Sequence, residues 1–428
     1  YQRRVRGMSQ LNEEEGLLET EQGKQSQLQP SGEEGQRSSM ASSILNLLNS
    51  IIGVGVMTLP YCLSINGYIL GIMFFVFCGW IAHVSFKYIS IATEYTQEFH
   101  YRQISEKLFN HRAWGYVVPI IMIVYVSGSL ASYSIAIMDN MFWWAGDDNK
   151  DFSTYKMILC VCIMYAVVLP LSSLRNLDFM KFNSYVCIVC EVIICFVVIF
   201  YFANYKEPRP DPVPFNFSFQ MMSTLPLITA SMCGHFGTPY IYRELRGRSL
   251  KKMDKVITLN GTILFALYIP IMLFGYFTFT QNVHSDLLKT IAEHSGSGWY
   301  LKVGNVAMIV LIVLHFPLTC YGCRSAVESL VFKNRKTPVW GLLLISFCIV
   351  TVLMLISIFV KDVADVLDVT SSLAGSFVIV IIPACFQLVI VKKQRFGWQK
   401  TVVPWVMIVF GAVQLVGGIA ATIQRWAQ

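Results

Sequence analysis

The sequence predicts an all-α polytopic membrane protein of eleven transmembrane helices, and three observations carry that expectation. The 428 residues are 55% apolar and only 14% charged, against about a quarter charged in a soluble domain. Apolar runs of about 20 residues, the length that crosses a hydrocarbon core of roughly 30 Å, recur along the chain. The basic residues fall between those runs and favour one side of the implied membrane. A water-soluble enzyme is therefore excluded, and the formal charge of +7 reports topology rather than nucleic acid.

The first 41 residues are polar and rich in Gln, Glu, Ser and Gly, a composition that stays disordered because it has too little apolar surface to bury. They lack an apolar stretch long enough for a cleavable leader. Glu13-Glu14-Glu15-Gly16-Leu17-Leu18 reads as an acidic dileucine sorting signal, with Glu13, Leu17 and Leu18 offered to trafficking adaptors. Such a pattern is short enough to arise by accident. The apolar spans follow at 42–64, 68–93, 114–139, 157–173, 183–203, 221–241, 257–280, 302–323, 338–360, 366–391 and 402–424. Spans nine and ten are parted only by KDVAD, which fits a tight hairpin. The transmembrane domain thus covers 42–424.

With the amino tail in the cytoplasm, that tail and the even-side loops hold 24 of the 33 Lys and Arg residues, a strong positive-inside bias. The loop RELRGRSLKKMDK between spans six and seven dominates it and reads as a cytoplasmic anchor. The sequon Asn216-Phe217-Ser218 then lies outside or in a lumen, a glycosylation candidate at Asn216. The sequon at Asn260 falls inside a span. The pairs Cys187-x-x-Cys190 and Cys320-x-x-Cys323 have metal-like spacing, but each stands alone within an apolar run, so buried thiols are expected and no metal or other cofactor is called for.

Two spans are interrupted. Span one carries Gly53 and Gly55 near its middle and Pro60 after them; span six carries Pro226, Gly234, Gly237 and Pro239. In lipid, irregular backbone survives only where it is buried in protein or lines a cavity. The interruptions lie five spans apart, as inverted halves at about 42–203 and 221–391 require, with 402–424 an extra helix. An unwound helix exposes amide donors at one half-end and carbonyls at the other. Together these suit a zwitterion. Close packing of helices through glycine is the competing account.

In these stretches the chain resembles the amino acid/auxin permease family, and within it the sodium-coupled neutral amino acid transporter branch. The residues that carry the resemblance are Asn46 through Gly55 with Pro60-Tyr61, Leu225-Pro226 through Leu245, Phe274 through Phe279 with Ser285 through Leu288, and Phe316-Pro317 with Arg324-Ser325. It spans roughly 42–424. It implies a LeuT-like fold of two inverted five-helix halves plus one helix, working by alternating access around a central amino-acid site. Carried over, Ile52, Gly53, Val54 and Gly55 hold the substrate carboxylate and amine, and Ser231, Met232, Cys233 and Gly234 line the opposite side. Asn49 matches a family asparagine used for substrate and ion; a hydrogen bond between helices is its alternative role.

The pattern departs at span eight. Where sodium-coupled relatives carry threonines, two and four residues before Pro317, this chain has His315 and Val313. Thr319 and backbone carbonyls remain as oxygen donors for Na+. His315 instead suits H+, since an imidazole changes charge near physiological pH. Glu191, inside span five, is costly there unless protonated or paired, and is either a proton relay, a paired group or a bystander. His235 reads as a helix-packing residue. Thr370-Ser371-Ser372 with Gly375 either closes the pocket or lets helices approach. Asp362, Asp365 and Asp368 run at helical spacing and are expected on a solvated outer rim. Tyr125, Ser129, Met232 and Phe236 are expected to line the pocket and to suit a modest, uncharged side chain.

The function expected is secondary active transport of amino acids, neutral ones since no acidic group is clearly placed for a cationic one, coupled to Na+ or H+. The alternative is an amino-acid sensor that signals through its tail. A tail of about 40 residues is short for a docking platform. No charge ring or filter loop suggests a channel, and no catalytic motif suggests an enzyme. The expected location is the plasma membrane or an endosome or lysosome.

Overall fold

The computed structural model describes residues 38–141, 158–174, 180–295, 298–332, 338–359, 363–394 and 398–427. The dileucine candidate Glu13, Leu17 and Leu18, most of the amino tail and Asp362 lie outside the described residues. Within them the chain is helical, and its only β pairing is one isolated bridge between Ser38 and Leu245.

Helical segments lie over every expected span. Span one is two helices, α1 (Met40–Ile51) and α2 (Leu59–Asn66), joined by a 3-10 turn at Val54–Thr58 and bent by 54°. Gly53 sits extended at the break, and Pro60 starts α2 in the first turn, where its missing N–H costs nothing. Then come α3 (Tyr68–Thr96), the short α4 (Tyr101–Phe109), α5 (Trp114–Met141), α6 (Ile158–Ser172) and α7 (Met180–Asn204). Span six is also broken: α8 (Met221–Ser231) and α9 (Thr238–Glu244) flank a 3-10 turn at His235–Gly237. The chain continues through α10 (Leu250–Phe279), the short α11 (Leu287–Ser295), α12 (Trp299–Val331), α13 (Val339–Phe359), α14 (Val363–Lys393, π-helical over Ser371–Ile381) and α15 (Gln399–Ala427).

Among the described residues, eight single helices are long and apolar enough to cross a membrane, and nine if the bent α1–α2 pair counts as one span. The shortfall from eleven has physical reasons. At 1.5 Å per residue α6 is too short to span the hydrocarbon core on its own, and α8 and α9 are each shorter still.

The broken helices lie at the centre. α12 packs on α5 and α7, α8 on α14 and α15, and α10 on α1, α2 and α7. The outer helices turn apolar side chains outward, among them Phe77 and Trp80 on α3, Trp340, Leu343 and Phe347 on α13, and Val406, Val409 and Val413 on α15. Such a belt has no place in water and suits a lipid surround.

Buried cations and carboxylates tie the helix ends. Arg324, almost fully buried, donates to the carbonyls of Ser172 (2.7 Å) and Leu174 (3.0 Å), closing the carboxyl end of α6. Asp368 corrects an expectation. It is buried rather than solvated, accepts from Thr422 (2.7 Å) and Ser372 (3.3 Å), and lies 3.3 Å from Arg425, whose guanidinium also meets Asp365 at 2.6 Å. Helical spacing set Asp365 and Asp368 on one face, and Arg425 of α15 meets both of them there, with Thr422 on Asp368. Ser372 is spent in this network, which supports close helix approach for that cluster.

Candidate functional site

A small cavity lies where the two broken helices meet. Its volume is about 30 Å³, room for one or two waters, and its walls come from five elements. Span one gives Ser50, Ile51, Gly53 and Gly55, and α5 gives Tyr125, Ser129 and Tyr133. Span six gives Ala230, Ser231, Cys233 and Phe236, with Thr319 from α12 and Leu367 from α14.

The local sequence explains the closeness. A Cβ on Gly55 would stand 2.9 Å from the Ser231 Cα, so only glycine lets the two breaks touch. A Cβ on Gly53 would meet the Tyr133 hydroxyl at 2.8 Å, and one on Gly234 would meet Ser50 Oγ at 2.4 Å. At both breaks the regular ladder stops, leaving backbone N–H and C=O groups near a polar void. Half-helix ends of this kind offer positive and negative poles within a few ångströms.

Of the residues singled out in the sequence, Gly53, Gly55, Ser231, Cys233 and Thr319 surround this cavity, as do Tyr125, Ser129 and Phe236. Ile52 and Val54 are fully buried and do not line it. Gly234 packs against Ser50 and Ile51. Met232 is a correction: it turns away, into a separate cavity with Leu47, Ile51 and Leu264. The break rotates successive residues to opposite sides, which spacing alone does not resolve.

Asn49 and His315 stand behind the cavity wall. Asn49 is fully buried with neither amide atom hydrogen-bonded among the described residues. The His315 ring faces the Asn49 backbone and packs edge-on against Tyr133 with centroids 5.4 Å apart. His235 stacks on Phe86 at 4.0 Å and lines no cavity described here. Glu191 lies apart, in the middle of α7, fully buried and with no bond to either carboxyl oxygen among the described residues. Asn216 is partly exposed on the extended loop before α8, its N–H bonded to the Asn66 carbonyl. Asn260 is buried and donates to the Ile44 carbonyl.

Tyr133 and Ser50 were missed in the sequence. The signal for Tyr133 was present: Tyr125, Ser129 and Tyr133 recur every four residues along one face of α5. Tyr133 turns its hydroxyl toward Thr319, joining α5 to α12 at the cavity wall. A second, larger cavity of about 100 Å³ lies on the side of the basic loops, lined by His100, Arg102, Tyr240, Tyr321 and Ser325 among others. Phe236 belongs to both cavities. Arg102 donates to the carbonyl of Ser329, both being part of the wall of the larger one.

Comparison with known proteins agrees in kind. Residues 36–424 match the family described as transmembrane amino acid transporter protein. One relative, named sodium-coupled neutral amino acid symporter 2, from Danio rerio, is 22% identical over 419 residues, covering 91% of this chain and 82% of its own.

Proposed function

We propose, from the premise that the chain belongs to the transmembrane amino acid transporter family, that it carries neutral amino acids across a membrane by alternating access, coupled to Na+ or H+. Family membership makes it a transporter rather than an enzyme. The observation that supports the site is the meeting of two broken helices at one polar cavity.

In this reading the spans number eleven, with α6 and the α8–α9 pair completing the count. The halves at about 42–203 and 221–391 form a LeuT-like inverted repeat, and 402–424 is the extra helix. The amino tail is cytoplasmic, Asn216 faces outside or a lumen, and the membrane is the plasma membrane or that of an endosome or lysosome, with the dileucine run as the address. The backbone at Ile52, Gly53, Val54 and Gly55 takes the substrate carboxylate and amine, while Ser231, Cys233 and Gly234 form the facing wall. Dipolar half-helix ends bind both charges of a zwitterion without placing a full charge in the membrane. The cavity of about 30 Å³ is narrower than an amino acid, so loading requires the two halves to part, as alternating access demands.

For the coupling ion, oxygen donors stand at Asn49 and Thr319, suited to Na+, whose hard charge prefers oxygen. His315 beside them and Glu191 on α7 suit H+. The Danio rerio relative is named for sodium coupling, which supports Na+; the histidine at 315 supports H+. Purified protein in liposomes decides. Uptake of a labelled neutral amino acid mixture is expected to rise under an inward gradient of Na+ or of H+. No uptake under either would overturn the proposal.

A further inference from the structure

We propose that Glu191 and Tyr268 form a proton-binding site set apart from the substrate cavity and joined to it through Tyr133. The inference rests on the transport reading above and deepens it, naming the coupled ion as H+ and giving its place.

Glu191 lies within α7, a helix that crosses the molecule's apolar layer, and no part of it is exposed. Both its carboxyl oxygens lack a hydrogen bond among the described residues. A carboxyl group kept for structure is normally hydrogen-bonded when buried. An ionised one left unpaired at this depth costs several kcal/mol. The occupant that removes that cost is a proton on the carboxylate itself.

The groups around Glu191 bear this out. From α10 comes Tyr268, fully buried, whose hydroxyl is likewise unbonded among the described residues. On its own helix stand the thiols of Cys187, Cys190 and Cys195. α1 and α12, which also pack on α7, direct no charged side chain at it among the described residues.

Tyr268 lies within electrostatic reach of both Glu191 and Tyr133. Tyr133 lines the substrate cavity, where its hydroxyl approaches Gly53 and Thr319. Each phenol both donates and accepts. Tyr268 is thus a neighbour of both groups, with no hydrogen bond joining its hydroxyl to either among the described residues. A proton arriving from water on the acid side forms an O–H bond at Glu191. On release that bond breaks and the proton returns to water on the other side. A turn of the side chains then lets the free Tyr268 hydroxyl donate to the carboxylate left behind. No electron is transferred.

The test uses the full chain in liposomes with a labelled neutral amino acid mixture. Two readouts are compared: exchange at equal pH on both sides, and accumulation driven by an inward H+ gradient. Glu191→Gln mimics the protonated state. It is expected to keep exchange within about two-fold of the wild type and to lose accumulation at least ten-fold, to the gradient-free level. Tyr268→Phe is expected to keep exchange and to shift the pH dependence of accumulation. Undiminished H+-driven accumulation by Glu191→Gln overturns the proposal, as does a wild type that responds to Na+ alone. Should Glu191→Gln not exchange at all, Glu191→Asp decides, and an unmoved pH profile there overturns it. Loss of exchange in the wild type is a different result, because it removes the transport reading itself.

Discussion

Phe236 divides two cavities, and the chemistry of one ring decides whether they join. It sits on the 3-10 turn between Gly234 and Thr238, lines the central cavity and the larger one beneath, and occupies space that a side chain at Gly322 would enter at 3.1 Å. Truncation to Phe236→Ala is expected to open a continuous path toward the basic side. Efflux of preloaded amino acid without a gradient should rise several-fold, as read from liposomes. The cost in stability, for a ring only partly buried, is about 1–3 kcal/mol. Unchanged efflux would mean that the ring does not bar the route. At this scale the sequence was legible where backbone chemistry marks a site: the glycines at 53 and 55 announce a break, and the cavity forms there. It was less legible for side chains after the break. Ser231 and Cys233 face the cavity while Met232 between them faces away, because a broken helix has no fixed period to extrapolate.

At the scale of elements, the short helix α11 rests on one carboxylate and the join of α14 to α15 on two. Asp286, outside the spans, caps α11 by accepting from the amides of Leu288 (2.9 Å) and Lys289 (3.3 Å). Burial raises its carboxyl above the usual aspartate range, against the pull of those amides and of Lys289. The folded form therefore holds its proton over a pH window in which the unfolded chain has lost it, and stability falls as pH rises through that window. Asp286→Asn keeps a capping oxygen and cannot ionise. Its melting temperature minus that of the wild type is expected to grow as pH rises from about 4, and a constant difference would refute this. Asp286→Ala should lose about 1 kcal/mol with the cap. At the other end, Arg425 holds Asp365 and Asp368. Arg425→Gln strands the buried Asp368 charge and should cost about 3–5 kcal/mol, lowering the melting temperature well below that of Asp365→Asn. Equal losses in the two variants would contradict that ranking. Neither element was legible in the sequence. α11 is amphipathic and short, without the long apolar signal of a span, and the Asp368–Arg425 pair joins residues on separate helices that only packing brings together.

For the whole molecule, long apolar runs were enough to mark where helices fall, eight or nine of them able to cross a membrane among the described residues, since in lipid a backbone must satisfy itself. What they did not yield is which faces meet. α13 and α15 turn apolar side chains outward, whereas α8 and α12 carry buried polar groups such as Thr229, Ser231, His315 and Thr319. Contact between the two broken helices is proposed to form the substrate site. Its most direct test is exchange of a labelled neutral amino acid in liposomes by Gly55→Ala, whose added Cβ meets the Ser231 backbone at 2.9 Å, beside Gly237→Ala, whose Cβ meets nothing nearer than 3.8 Å. The account predicts exchange reduced at least ten-fold by the first and near wild type in the second, both variants remaining folded. Exchange at the wild-type rate by Gly55→Ala would contradict it.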